Sequence, residues 1–580
     1  MPNPVNRSNP IRTIIHRVFT KQHSLILRGD GMRWVEDMLA HYNVSPDDVE
    51  DTLNTLANEC ESEATLRDAS AVVDQHILQT VYDRLLAPTE EHVTTAEHDP
   101  DSQISESHTF KVIDAFSIPR MTWSDERKLF EVHGGSKSKP SILGQPISRS
   151  LYLRDRYHVI RQVILRNEHF SPPTVAGEDE REEYMKLTST NNMLGRAGQR
   201  FLLFGMLSRM QDYSYCLEDL DGRVKLDLSN AASTLSFTPA EGLFTEGCFV
   251  LMEGEYQSDE TFKVLEIGHP PSEQRDVSRK LFAHVDFTGA GALSLHEEGK
   301  LVKAESASDT QFIVMSDFFL DNSSVLKNFE QILEGYEQQF NSSAGGLRPP
   351  PVWVLCGDFS QKPFVFDGTM TMTYTALFAK LASTLAKYSN ITPHIHFVIV
   401  PGPHDPWSST TLPRPSLPQA IVKPLLSSAS RVPKENIHLA SNPCRIRWMS
   451  QELVVFREDL MSKMCRNLVS ESLKDPTLAL ETEREDMSKF LVQTILDQAH
   501  LSPLSLHIRP VLWEFDQALR LYPMPTALVL ADKYPPYRLT YEGCHVFNPG
   551  SFGVGSKAIW ANYHLATRTS EERSVFLFSQ

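Results

Sequence analysis

Cysteine is scarce in this chain and is nowhere clustered. Seven occur in 580 residues, at Cys60, Cys216, Cys248, Cys356, Cys444, Cys465 and Cys544, and no two stand as C-x-x-C. That excludes a zinc ribbon and a disulfide scaffold, and it predicts buried free thiols in a reducing compartment. Long apolar runs are missing too. No stretch approaches the ~18 unbroken apolar residues of a membrane span, so no membrane contact is expected. Arg7, Arg12, His16 and Arg17 break up the N-terminus, which argues against a signal peptide. Positive charge is in deficit: 56 Lys and Arg face 74 Asp and Glu, a formal net charge of −18. A surface that grips duplex DNA throughout needs clustered Lys and Arg, so direct DNA binding is expected to be weak or indirect. A nucleotide-binding G-x-x-x-x-G-K-[ST] string is also lacking, which excludes a P-loop ATPase site.

The length requires several domains. Residues 1–87 have helical periodicity. Apolar positions recur from Arg12 to Leu27, then at Trp34, Val35, Met38 and Leu39, and again from Ala71 to Leu86. Ser45-Pro46-Asp47-Asp48 has the composition of a helix start. A helical bundle is expected. Between Arg84 and Lys111 there is no basic residue, while Glu90, Glu91, Glu97, Asp99, Asp101 and Glu106 accumulate. Residues 88–109 are therefore expected to be an acidic flexible linker, because they cannot bury enough apolar surface to offset ordering. Residues 110–186 are expected to connect, with a helix over Arg149–Arg166.

From 187 to 300 the pattern turns to short strands. Phe201–Met206 contains Gly205, expected at a bulge or bend. Tyr215–Leu220 and Val224–Leu228 flank Asp221-Gly222, expected to turn a hairpin with positive φ angles. Phe249–Met252 and Phe262–Ile267 add two more strands. An OB-type β-barrel accommodates this number of strands. Phe201, Phe204, Tyr213 and Tyr215 could stack bases, but seven acids interleave them, which favours protein packing over nucleic acid.

From 301 to 580 strands alternate with helices: Phe312–Met315, helix Val325–Phe340, Val352–Leu355, helix Thr373–Tyr388, Ile395–Val400. Such alternation implies a sheet covered by helices, with its site at the C-terminal strand ends. Three blocks lie there: Met315–Asp321, Cys356–Phe359 and Pro401–Asp405. A two-metal phosphoesterase would have D-x-H, G-D and G-N-H-D at these points, because two ions about 3.5–4 Å apart need bridging carboxylates and imidazoles. Asp317, Asp358, His404 and Asp405 keep the pattern. Phe319 and Pro403 replace a histidine and an asparagine with groups that cannot ligate. Near the C-terminus Asp532 and Tyr534 stand where G-H-x-H is required, and Lys533 adds a positive charge. The fourth ligand position is open between Leu506–Pro510, with His507, and Leu460–Asn467. No metal and no cofactor are expected, and no catalytic residue.

The strings Phe110–Phe116, Val454-Val455-Phe456-Arg457-Glu458-Asp459, Lys463–Asn467, Tyr522–Pro525, Ala531–Tyr534 and Asn548–Phe552 give the chain a further resemblance. In this order it resembles the B subunits of eukaryotic replicative DNA polymerases, most nearly the polymerase epsilon branch. The resemblance implies a helical domain like the lid of AAA+ ATPases, an OB barrel, and a C-terminal calcineurin-like phosphoesterase sandwich without its chemistry. It also implies partners: the cysteine-rich C-terminal region of the polymerase epsilon catalytic subunit, the GINS component of the helicase through the helical domain, and the histone-fold subunits of the holoenzyme. A nuclear location goes with them. The alternatives are an active two-metal phosphoesterase or nuclease and a single-strand DNA-binding barrel.

Overall fold

Strand residues of alternating direction but uniform apolarity build the centre of this molecule. In the computed structural model, residues 10–22, 25–41, 110–132, 140–170, 186–229, 242–342, 348–407, 410–469, 484–554 and 557–576 are described, with positions 53, 54, 56, 57, 60, 72, 73, 78, 79 and 81. The chain divides into two compact units, Met1–Gln103 and Ile104–Gln580.

In the first unit, a helix over Pro10–His16 continues as a π-helix over Arg17–Gln22, and a second helix spans Gly29–His41. Ile15, Val18, Phe19, Val35 and Leu39 share a core with Leu53, Leu56 and Val81. Two expectations change. The first helical run ends at Gln22, and Ile26–Leu27 pairs in parallel with Val72–Val73. Consecutive β-branched and γ-branched residues favour that short sheet over a helix turn. The helix start expected at Ser45 and the linker at 88–109 lie outside the described residues.

In the second unit, two six-stranded sheets face each other. The first runs Ile437–Leu439, His396–Val400, Val352–Cys356, Gln311–Met315, Lys557–His564, Thr569–Phe576; the four leading strands are parallel. The second runs Tyr537–Tyr541, Cys544–Asn548, Ala527–Ala531, Gln451–Arg457, Cys444–Trp448, Phe110–Asp114. Side chains alternate between two cores. Phe312, Val314, Val352 and Val354 meet Val455, Val529 and Phe547 between the sheets. Ile313, Met315, Trp353 and Leu355 point the other way, against helices Ser323–Ser342 and Gly368–Leu385. Val454, Phe456, Leu528 and Leu530 pack under helices Leu460–Arg466 and Arg484–Asp497. Both faces of each sheet are covered, which explains runs apolar at every position rather than every second one. None of the seven cysteines is in a disulfide; all are buried except Cys465, which is half-buried.

The segment 110–186 does more than connect, since Phe110–Asp114 forms the edge strand beside Cys444–Trp448. Helix Ser148–Ile164 follows, close to the expected bounds. Five strands, Arg200–Arg209, Tyr215–Glu218, Arg223–Asp227, Thr261–Gly268 and Phe249–Tyr256, then pair in a closed ring. The barrel strands end at Gly268, and helices Arg275–Phe282 and Leu295–Ser306 occupy the rest of the stretch to 300.

Two local expectations in the barrel fail for identifiable reasons. The register shift falls at Glu253/Gly254, not at Gly205. Gly205 serves close approach instead, because a Cβ there would sit 2.6 Å from the Glu218 carbonyl oxygen. Nor does the Asp221-Gly222 turn use a positive φ. The Asp219 carboxylate closes it, accepting from the Asp221 and Gly222 amides at 2.9 and 2.8 Å, as Asx turns do. Gly205→Ala is expected to cost about 1–3 kcal/mol in chemical denaturation through overpacking; an unchanged midpoint would refute the close-approach role.

Candidate functional site

Five strands end at one place. Asp317 follows Gln311–Met315, Asp358 follows Val352–Cys356, and His404 and Asp405 follow His396–Val400. From the second sheet, Arg457 ends its strand and Asp532 follows Ala527–Ala531. Glycines permit the crowding: a Cβ on Gly357 would lie 1.9 Å from Asp405 Oδ2, and one on Gly402 2.3 Å from Asp358 Oδ1.

The centre of the cluster is the Arg457 guanidinium, which is fully buried. Its Nη2 donates to Asp317 Oδ1 at 2.7 Å, its Nε to the Gly357 carbonyl at 2.7 Å, and its Nη1 to Asp459 Oδ1 at 2.7 Å and the Ala531 carbonyl at 3.3 Å. Burial opposes its charge, but Asp317, Asp459 and Asp358 outweigh that and raise its pKa further. Asp317 holds a left-handed φ of 54°, a conformation Asp tolerates better than most residues.

Each sequence-predicted residue has a definite place. Asp358 accepts from the His404 amide at 2.9 Å and contacts His404 Nδ1 at 2.8 Å. Burial works to raise the Asp358 carboxyl, yet the His404 hydrogen bond and the Arg457 charge hold it below the usual range. The same hydrogen bond raises His404. Asp405 accepts from the Phe359 amide, the Gly402 amide and the Tyr374 hydroxyl at 2.8, 2.7 and 3.0 Å. Burial and the Asp358 charge push its carboxyl up to about 7. Asp532 accepts from the Met461 and Tyr534 amides at 2.8 and 3.1 Å, and burial raises its pKa. Phe319 belongs to the helix-side core and packs against Gly553. Pro403 is half-buried in the loop before His404, and Tyr534 is half-buried beside Tyr537. Lys533 reaches Asp459 at 3.2 Å. Of the candidates for the fourth position, His507 lies elsewhere, exposed beside Ser505 and Glu246. The Leu460–Arg466 helix does join the site, through the Met461 amide.

Arg457 is the residue that ligand-pattern reasoning missed. The available signal was an Arg-Glu-Asp triplet placed directly after the apolar run Leu453–Phe456. Glu458 repeats the theme one step deeper: it is buried and takes Arg414, Arg509 at 2.7 Å and Lys463. Burial would raise its carboxyl, but Arg414, Arg509 and Lys463 hold it down to about 2. Among the described residues, no group of three or more His, Cys, Asp or Glu is placed to hold a metal ion. With a guanidinium filling the cation position, the cluster can link strand ends electrostatically.

The base-stacking candidates divide. Phe201 and Phe204 are buried in the barrel, and Tyr213 is exposed. Tyr215 lies under the Arg209 guanidinium at 4.8 Å. The barrel is also joined to the helices behind it: Gln498 bonds both the amide and the carbonyl of Phe249, at 2.7 and 2.6 Å.

Comparisons with known proteins locate this architecture. Residues 312–539 match the family model for the B subunit of DNA polymerases alpha and epsilon, and residues 146–271 match the OB-fold domain of DNA polymerase epsilon subunit 2-like proteins. The DNA polymerase epsilon B subunit of Schizosaccharomyces pombe is 32% identical over 95% of this chain and 93% of its own length. Human DNA polymerase epsilon subunit 2 is 32% identical over 92% of this chain and 93% of its own. The Arabidopsis thaliana B subunit of the same polymerase is 32% identical over 84% and 86%.

Two outcomes are expected. Arg457→Met strands Asp317 and Asp459 without their counter-charge and should lower unfolding free energy by about 3–5 kcal/mol; Arg457→Lys should rescue little, since a point charge cannot span the same acceptors. Glu458 is held at about 2 in the folded chain, below its unfolded value of roughly 4.3. Its stabilisation is complete above that unfolded value and is lost as pH falls toward about 2. Glu458→Gln should therefore flatten the dependence of urea stability on pH between about 5 and 2.5. An equally steep dependence would show that other carboxylates carry it.

Proposed function

The chain belongs to the B-subunit family of DNA polymerase epsilon, and on that premise we propose that it is a non-catalytic scaffold of the polymerase. Its relatives are named as an accessory subunit of a replicative polymerase. The observation that carries the non-catalytic reading is Arg457: a permanently charged guanidinium holds Asp317 and Asp459 where a hydrolase would need divalent ions. Phe319, Pro403, Asp532 and Tyr534 stand at positions where that hydrolase would have further ligands. Asp317, Asp358, His404 and Asp405 are remnants that now hold loops.

On this reading residues 301–580 are a calcineurin-like phosphoesterase sandwich retained as a rigid body, and 187–300 contain an OB-type barrel docked on it. The two present the surface that receives the cysteine-rich C-terminal region of the catalytic subunit. Residues 1–87 form a helical domain like an AAA+ lid, tethered by 88–109, that contacts the GINS component of the helicase. Contact with the histone-fold subunits and a nuclear location complete the assignment. Contact with DNA is weak or indirect, which agrees with the net charge of −18 and with the burial of Phe201 and Phe204.

Affinity purification of the tagged chain from cells is the test. The catalytic subunit of polymerase epsilon is expected among the recovered proteins, and recovery without any polymerase catalytic chain would refute the scaffold. In parallel, the purified chain supplied with Mn²⁺ should not hydrolyse a generic phosphodiester; turnover lost on Asp358→Ala would establish the enzyme reading instead.

A further inference from the structure

We propose that the cavity behind the Asp286–Leu293 loop is a binding site for a tetrahedral oxyanion, a phosphate group, received by Arg275, Arg279 and Arg447. These three guanidiniums line one cavity, together with Thr288, Gly291, Ser450, Asp286 and Glu452. Both acids are already engaged. Asp286 accepts from the Thr288, Gly289 and Gly291 amides at 3.1, 2.8 and 2.7 Å, so its charge is spent on shaping the loop. Glu452 is taken by Arg445 and Arg275.

The positive groups keep spare donors. Arg447 is 8% exposed, and its Nη1 donates to the Ala290 and Gly291 carbonyls at 3.3 and 2.8 Å. Its Nη2 is buried without a hydrogen-bond partner. Arg279 uses Nε on Glu298 and Nη2 on the Leu293 carbonyl. Arg275 spends Nη1 on the Met524 carbonyl at 3.0 Å. Beside this cavity, Arg445 Nε and Arg520 Nε are also buried and unpartnered. A buried donor left unpaired in a native fold calls for a bound group. Burial lowers the Arg447 pKa, and the charges of Arg279 and Arg275 act in the same direction. An anion would relieve both effects.

The chemistry selects phosphate. Guanidinium forks match the oxygen spacing of phosphate, and such charge-assisted bonds are strong. The cavity gives about 60 Å³ to the centres of water-sized atoms. One water requires on the order of 10–15 Å³ by that measure, so roughly four oxygen-sized atoms fit. The partly exposed Asp286–Gly291 loop forms the rim, so either free inorganic phosphate or the terminal phosphate of a nucleotide could enter. The site is independent of the Arg457 cluster and of the scaffold reading.

The test is calorimetry and thermal unfolding of the full chain with sodium phosphate, against sodium chloride at matched ionic strength. One saturable site is expected, with a Tm rise of roughly 3 °C at saturation. Arg279→Gln and Arg275→Gln, which remove the less buried donors, should each weaken binding about tenfold or more. Arg447→Met should abolish binding, and Arg127→Gln, on an exposed side chain elsewhere, should leave it unchanged. A second arm uses deoxyadenosine 5′-monophosphate: comparable affinity supports a terminal phosphate as ligand, whereas phosphate binding alone supports the free anion. Equal effects of phosphate and chloride, or undiminished binding in both Arg279→Gln and Arg275→Gln, would overturn the proposal.

Discussion

The buried Arg457 guanidinium is the constraint on which the junction of the two sheets depends. Removing such an ion from water is costly, and the cost is met only where carboxylates and carbonyls surround it. Here they come from four strand ends: Asp317, Gly357, Ala531, and Asp459 just beyond Arg457's own strand. None of these groups is close to the others in sequence apart from Asp459. The ion therefore fixes how the ends of the first sheet meet those of the second, and Asn442 adds to the same seam by bonding the carbonyls of Pro401 and Arg457.

Similar polar ties anchor the elements outside the sandwich. Glu305, at the end of helix Leu295–Ser306, accepts from the Ser450 amide at 2.7 Å and from Gln451 at 3.2 Å. Arg520 donates to the Met121 carbonyl at 2.7 Å, which holds the early hairpin to the late loop. Gln498 grips the barrel strand at Phe249 from both sides. Hydrophobic burial supplies the bulk of the stability, while these pairings choose one arrangement of barrel, hairpin and sheets. A body so joined suits a protein whose work is to hold others in place.

Much of the fold was legible because periodicity reports burial. The strands at Phe312, Val352 and Ile395 and the helices between them followed from runs whose faces are both covered. The barrel hairpins followed from short alternating strands. What escaped was decided by tertiary contacts. Ile26–Leu27 became a strand only because Val72–Val73, some forty-five residues away, supplied the partner. Gly205 has the setting of a bulge, but its reason is a carbonyl on the next strand. In the site, the positions of Asp317, Asp358, His404 and Asp405 were visible as a pattern. The cation that organises two of them was not, because Arg457 lies on the other sheet and no spacing rule links it to Asp317, 140 residues before it.

The most direct test of a guanidinium in place of metal is a crystal structure of the chain soaked in Mn²⁺, with anomalous scattering used to find the ion. No manganese peak is expected between Asp317 and Asp358, and the guanidinium should still be bound to Asp317, Gly357 and Asp459. Two manganese peaks about 3.5–4 Å apart, with Arg457 displaced from the cluster, would contradict it.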